Sequence, residues 1–235
     1  MLRKMWLLVG GLVTLLAIGA FGLTNRTEPI GADAVTLPWA TPPPYRIVYL
    51  VAEDAVTADS PVAPSQLKAT LGAQIAYSWS EVLALNNISS IDALIIHDSA
   101  LPLVDSNWVS DAYRRGVVIA AFNVYAPQLA NLVHDPHVAK DGFASEPYPG
   151  LFYVSVFRLV LGQPDDVALI ESAGSFGEPV AGVQRPVRIT GGRSTYAINN
   201  FSDYNIFARV LISNLEAVEQ AKREFEAGAY SVRNN

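Results

Sequence analysis

The sequence predicts an α/β domain with a mostly parallel sheet, preceded by a single transmembrane helix. Three observations carry that expectation. The first is an uncharged apolar run from Met5 to Leu23. The second is a strand–helix–strand pattern across residues 91–122. The third is an amphipathic stretch over residues 203–227, long enough to cover one face of a sheet.

The apolar run comes first. Its nineteen residues, at a rise of about 1.5 Å each, span roughly 28 Å, close to the ~30 Å hydrocarbon core of a bilayer. Arg3 and Lys4 precede it and only Arg26 follows closely. The positive-inside rule therefore puts the N-terminus in the cytoplasm and everything after about Thr24 outside it, in a periplasm or equivalent space. The segment is expected to be a single-pass signal-anchor in the cell membrane. It also has the parts of a cleavable secretory signal, with small residues at Ala17-Ile18-Gly19 and Ala20-Phe21-Gly22. Gly10, Thr14 and Ala17 fall on one face of such a helix, where small side chains allow another helix to approach closely. The lipid bilayer and other membrane subunits are therefore the expected partners.

Charge and cysteine content narrow the function. Removing Arg3 and Lys4 from the 16 basic residues leaves 14 against 22 acidic ones in residues 24–235, a net charge of −8. Nucleic acid is not an expected partner, because it requires a basic footprint. The absence of cysteine excludes disulfides, thiolate metal sites, a cysteine nucleophile and a cysteine-linked lipid anchor. It also suits an oxidising compartment.

Residues 24–44 read as a linker, with Pro29, Pro38 and the Pro42–Pro44 triplet giving a stiff spacer. The domain, residues 45–235, opens with Tyr45–Ala52, a β-branched and aromatic run that reads as a buried strand. Pro64–Leu71 reads as a helix. Gln74–Trp79 reads as a short strand, and Ser80–Asn86 as a short helix capped by Ser80. Ile91–Ile96 is a strand, Asp105–Arg115 a helix with Asp105 at its start and Gly116 at its stop, and Val117–Phe122 another strand. Strand–helix–strand at this length is a right-handed crossover between parallel strands.

Pro127–Val133 is expected to be a short helix and residues 135–150 a loop. Leu151–Leu161 and Val167–Glu171 read as strands or a strand and a helix edge. Pro179–Thr190 and Ser194–Asn199 read as β segments split by a hairpin at Gly191-Gly192. The final helix, Asp203–Ala227, is capped by Ser202. It carries a core stripe of Phe207, Leu211, Leu215, Val218 and Phe225, with Glu219 and Arg223 as an i, i+4 pair.

The stretch Ile91-Asp-Ala-Leu-Ile-Ile-His-Asp, with Trp108 and Arg114-Arg-Gly-Val-Val-Ile-Ala-Ala-Phe after it, resembles the core of class I glutamine amidotransferase-like domains. It covers roughly 35 of the 235 residues. The resemblance implies a flavodoxin-like or Rossmann-like scaffold. In that family a cysteine follows the strand on a tight, Gly-flanked elbow. The matching region here, Ala120-Ala-Phe-Asn-Val-Tyr125, has no Cys, Ser or flanking Gly, which argues against amidotransferase catalysis.

Open α/β sheets bind ligands beyond the carboxyl ends of their strands. Polar residues stand at three such ends: Glu53 and Asp54, then His97, Asp98 and Ser99, then Asn123. Together they form a candidate ligand crevice. His134-Asp-Pro-His137 spaces two imidazoles three apart but offers no third ligand. No G-x-S-x-G elbow or phosphate loop is present. Neither a metal nor a cofactor is expected. The leading expectation is a non-catalytic, membrane-anchored accessory or assembly subunit of a larger membrane complex, for example an energy-transducing one. The alternative is an anchored enzyme or small-ligand binding protein that uses the crevice.

Overall fold

A computed structural model describes residues 39–135, 151–159 and 190–227. The expected membrane span, its packing face at Gly10, Thr14 and Ala17, and the linker up to residue 38 lie outside the described residues. So do the β segments expected at 167–171 and 179–189. No described helix is long and apolar enough to cross a membrane.

Six strands form one sheet, in the order β2-β1-β3-β4-β5-β6. β1 is Ile47–Leu50, β2 Gln74–Ala76, β3 Ala93–His97, β4 Val118–Phe122, β5 Leu151–Leu159 and β6 Thr190–Ile198. The first four are parallel. β5 runs antiparallel to β4 and to β6. Every residue of β1, β3 and β4 is buried. That explains their continuous Val, Ile, Leu and Ala runs, because a parallel strand is covered on both faces.

The helices divide between those faces. On one, Tyr49, Ile95, Ala120 and Phe122 meet α1 (Pro64–Leu71) and α5 (Phe201–Glu226) through Leu67, Leu71, Phe207 and Leu211. On the other, Leu50, Ile96 and Ala121 meet α2 (Trp79–Ile88), α3 (Ser106–Arg114) and α4 (Ala126–Val133) through Val82, Val109, Tyr113 and Leu129. Polar ties fix α5. Thr70 Oγ1 donates to the Gln66 carbonyl at 2.7 Å, so the Tyr204 hydroxyl must donate to Thr70 Oγ1, 2.5 Å away. Asn214 Nδ2 donates to Ser155 Oγ on β5 at 2.9 Å.

The expected crossover is present as β3–α3–β4, with a 3₁₀ segment, Asp98–Leu103, after β3. Asp105 caps α3 by accepting from the Asn107 and Trp108 N–H groups at 2.9 and 3.2 Å. Gly116 ends it at φ 92, a left-handed position that suits glycine.

Three local expectations differ from the structure. Ser78, not Ser80, caps α2. Its backbone is extended, its Oγ accepts from the Glu81 N–H at 3.4 Å, and Glu81 reaches back to the Tyr77 N–H at 2.7 Å. Asn200 rather than Ser202 serves α5, accepting from the Asp203 N–H at 2.9 Å, because the helix already begins at Phe201. Gly191 and Gly192 are no hairpin. They continue β6, paired with Arg158 and Phe157, since β5 supplies a partner along the whole strand.

The end of the Pro-containing stretch lies on the domain. Trp39 Nε1 donates to the Thr70 carbonyl at the end of α1, 2.9 Å away. Pro42 sits close enough to Gly72, the left-handed cap of α1, that a Cβ there would come within 3.0 Å of Pro42 Cβ.

Candidate functional site

The chain passes from β1 to β2 on one side of β1, then crosses to β3 on the other. That reversal opens a crevice at the carboxyl ends of β1 and β3, the usual ligand position in such sheets. A cleft of about 550 Å³ lies there. His97, Asp98, Ser99 and Asn123 form its polar wall, and the 55–60 loop and Leu151 form the rest.

His97 is the last residue of β3, on the row with Phe122 of β4, and is only 6% exposed. Burial pushes its pKa below the usual imidazole value of 6.5, with Asp98 opposing that effect. The ring is therefore mostly neutral at pH 7. Nδ1 lies 2.8 Å from Asp98 Oδ1 and 2.9 Å from Ser99 Oγ. The Ser99 N–H also reaches Nδ1, at 3.3 Å, so Nδ1 accepts in one tautomer and donates toward Asp98 and Ser99 Oγ in the other. The Ser99 N–H also donates to Asp98 Oδ1, at 2.8 Å. Ser99 Oγ accepts from the Ala52 N–H at 3.1 Å, which ties the end of β1 to the end of β3. Nε2 has no hydrogen-bond partner among the described residues.

Asn123 follows β4 in the left-handed conformation, at φ 55. Asparagine tolerates that region better than most residues. Its N–H bonds to the Phe152 carbonyl of β5, and its Nδ2 donates to Asp98 Oδ2. Oδ1 remains to accept. Tyr49, on β1, is fully buried, and its hydroxyl has no hydrogen-bond partner among the described residues. Burial, and secondarily the Asp98 charge, push its pKa up.

These contacts limit the chemistry. A Ser-His-Asp relay needs serine on one ring nitrogen and the carboxylate on the other. Here Ser99 and Asp98 both meet Nδ1. Among the described residues no three His, Asp or Glu side chains converge as a metal site. His134 is exposed at the left-handed end of α4, and His137 lies outside the described residues.

Of the expected crevice residues, His97, Asp98 and Asn123 come together. Glu53 and Asp54 do not. They are exposed on the turn that follows β1 and do not line the cleft. Sequence reasoning missed Val56, Thr57, Ser60 and Leu151. The unusually long connection from Val51 to Ala63, at a carboxyl edge, is the signal that points to the first three. Leu151 arrives through the antiparallel β4–β5 pairing, for which no local signal exists.

No family model, curated protein or solved structure matches the chain.

Proposed function

We propose that the chain is a membrane-anchored accessory subunit whose extracytoplasmic, flavodoxin-like domain binds rather than converts. The observation that carries this reading is Asn123. It occupies the turn after β4, where the amidotransferase resemblance places a cysteine, and it has the left-handed backbone of an exposed elbow. Its side chain is an amide with no nucleophilic atom, and it is tied to Asp98. The turn is built, but what it presents is a hydrogen-bonding group. The basic N-terminus, the apolar run to Leu23 and the small-residue face at Gly10, Thr14 and Ala17 support the anchor and a neighbouring helix.

The test is purification of the tagged full chain from membranes in mild detergent, together with protease treatment of intact cells. Stoichiometric co-purifying subunits, and digestion of the domain from outside, are the expected results. A chain that purifies alone sinks the assembly role. A domain that resists protease until the membrane is permeabilised sinks the topology.

A second reading is favoured by the unpaired Nε2 of His97 in the cleft: the domain holds a small ligand in the crevice, as a binding or sensing subunit.

A further inference from the structure

The carboxyl edge of the sheet carries an apolar surface that the crevice does not use. Among the described residues, three large apolar side chains are exposed: Tyr77 at 43%, Leu103 at 47% and Ile206 at 46%. Two of them stand in the connections that lead into neighbouring helices, Tyr77 before α2 and Leu103 before α3. The first turns of those helices bring Trp79 and Trp108 edge to face, with ring centroids 5.3 Å apart. Both indoles rest on the core between the helices and the sheet, and both keep an outer surface. Tryptophan and tyrosine are enriched at the energetic centres of protein interfaces, because they bury a large area with few rotamers to fix.

The charge around this surface selects its partner. Glu53, Asp54, Asp59, Glu81 and Asp105 are exposed at this edge, and Asp98 partly so. No lysine or arginine occurs in residues 51–64, 77–81, 97–107, 123–127 or 199–205, which make up the loops and helix starts of the edge. The 136–150 connection that leads to β5 adds Lys140 against Asp141 and Glu146. Capping accounts for Glu81 and Asp105 but leaves their charge at the surface. Carboxylates around an apolar surface repel anionic phospholipid, and the chain enters the sheet at the opposite edge, past Trp39 and Pro42. We propose that the corner between α2 and α3 docks a basic, apolar segment of a partner subunit. Bulky apolar side chains of that segment pack on Trp79, Trp108 and Leu103, and its lysines or arginines meet the acidic rim. This rests on the reading of the chain as an accessory subunit.

The test puts the photo-crosslinking amino acid benzoylphenylalanine at Leu103 of the full tagged chain, in its own membranes. The control position is Lys68, in the last turn of α1 toward the opposite edge. Irradiation should give a discrete adduct from Leu103 that Lys68 does not give. Mass spectrometry should place it in a partner segment that joins lysines or arginines to bulky apolar residues. Its yield should fall at least threefold when salt rises from about 0.05 M to about 0.5 M, which screens surface charge. Leu103→Glu should lower recovery of that partner at least fivefold with the thermal midpoint unchanged, and Lys68→Glu should not. The adduct formed by the otherwise unaltered chain keeps the test decisive if Leu103→Glu folds poorly.

An adduct to a second copy, to another part of the same chain, to lipid or to an acidic segment overturns the inference. So does an adduct whose yield ignores salt. A partner recovered equally with the native chain and with Leu103→Glu, and never crosslinked from Leu103, overturns the docking surface and leaves the accessory reading standing. A chain that purifies alone and gives no adduct overturns both.

Discussion

His97 shows how burial sets charge at one residue. Its folded pKa lies below the usual imidazole value because the neutral form is favoured inside the protein. At pH 7 the ring is mostly neutral in both folded and unfolded chains. As pH falls below about 6.5 the unfolded imidazole takes a proton that the folded one refuses, so the unfolded state binds more protons and stability falls. The loss levels off below the folded pKa. The thermal midpoint of the native chain should therefore drop more between pH 7 and pH 5 than that of His97→Gln. Equal slopes would mean that the ring is not held neutral. Asn123 makes a second residue-scale test. Asn123→Gly and Asn123→Ala both lose the contact to Asp98, but only alanine brings a Cβ into a left-handed backbone. Denaturant unfolding should find the alanine variant less stable by about 1 kcal/mol. Identical midpoints would show that the turn relaxes to an ordinary conformation.

At the scale of elements, α5 is the test of core packing. Leu211 is fully buried beside Phe207, whose ring lies 4.8 Å from that of Phe122 and 4.6 Å from that of Tyr153. Leu211→Ala should cost about 2–5 kcal/mol, read as a lower denaturation midpoint. An unchanged midpoint would mean that the helix is not held by the sheet. β1, β3, α3 and β4 were legible because their signals are local: apolar runs, an Asp cap and a Gly stop. Caps were misplaced where two candidates compete, as Ser78 and Ser80 do, because the winner depends on where the backbone turns extended. Gly191-Gly192 misled because a glycine pair suggests a turn only until a neighbouring strand is available to pair with it. The same distinction governs the site. His97, Asp98 and Asn123 were legible as strand-end polar residues. Glu53 and Asp54 were misread because burial continues to Val51 and the following turn carries both out to solvent.

At the scale of the molecule, acidic groups mark the crevice edge, with Glu53, Asp54, Asp59, Asp98 and Asp105 all on the loops there. Arg46, Arg114, Arg115, Lys222 and Arg223 lie toward the opposite edge. A depression of about 390 Å³ at that edge is lined by Tyr45, Asp92, Glu219 and Lys222. If the proposed anchor joins an assembly, its small-residue face should matter beyond tethering. Gly10→Leu, alone or with Ala17→Leu, should reduce co-purification with partner subunits and leave insertion intact, because leucine is at least as compatible with lipid. Val9→Leu, roughly 100° round the helix from Gly10, is the control. Equal recovery of partners with both would reduce the segment to a tether.

The path of the chain into the sheet also has a mechanical consequence. It enters β1 at the amino edge, past Trp39 and Pro42, while the crevice opens at the carboxyl edge. In the proposed anchored arrangement, a pull between a ligand or partner at the crevice and the N-terminal segment would run along the strands. Among the described residues, the bond from Trp39 to Thr70 stands first in line as a latch. Behind it, β1 is hydrogen-bonded to β2 on one side and β3 on the other, so those bonds would be sheared together rather than peeled one at a time. A domain threaded this way can transmit tension between its two ends before its central strand gives way.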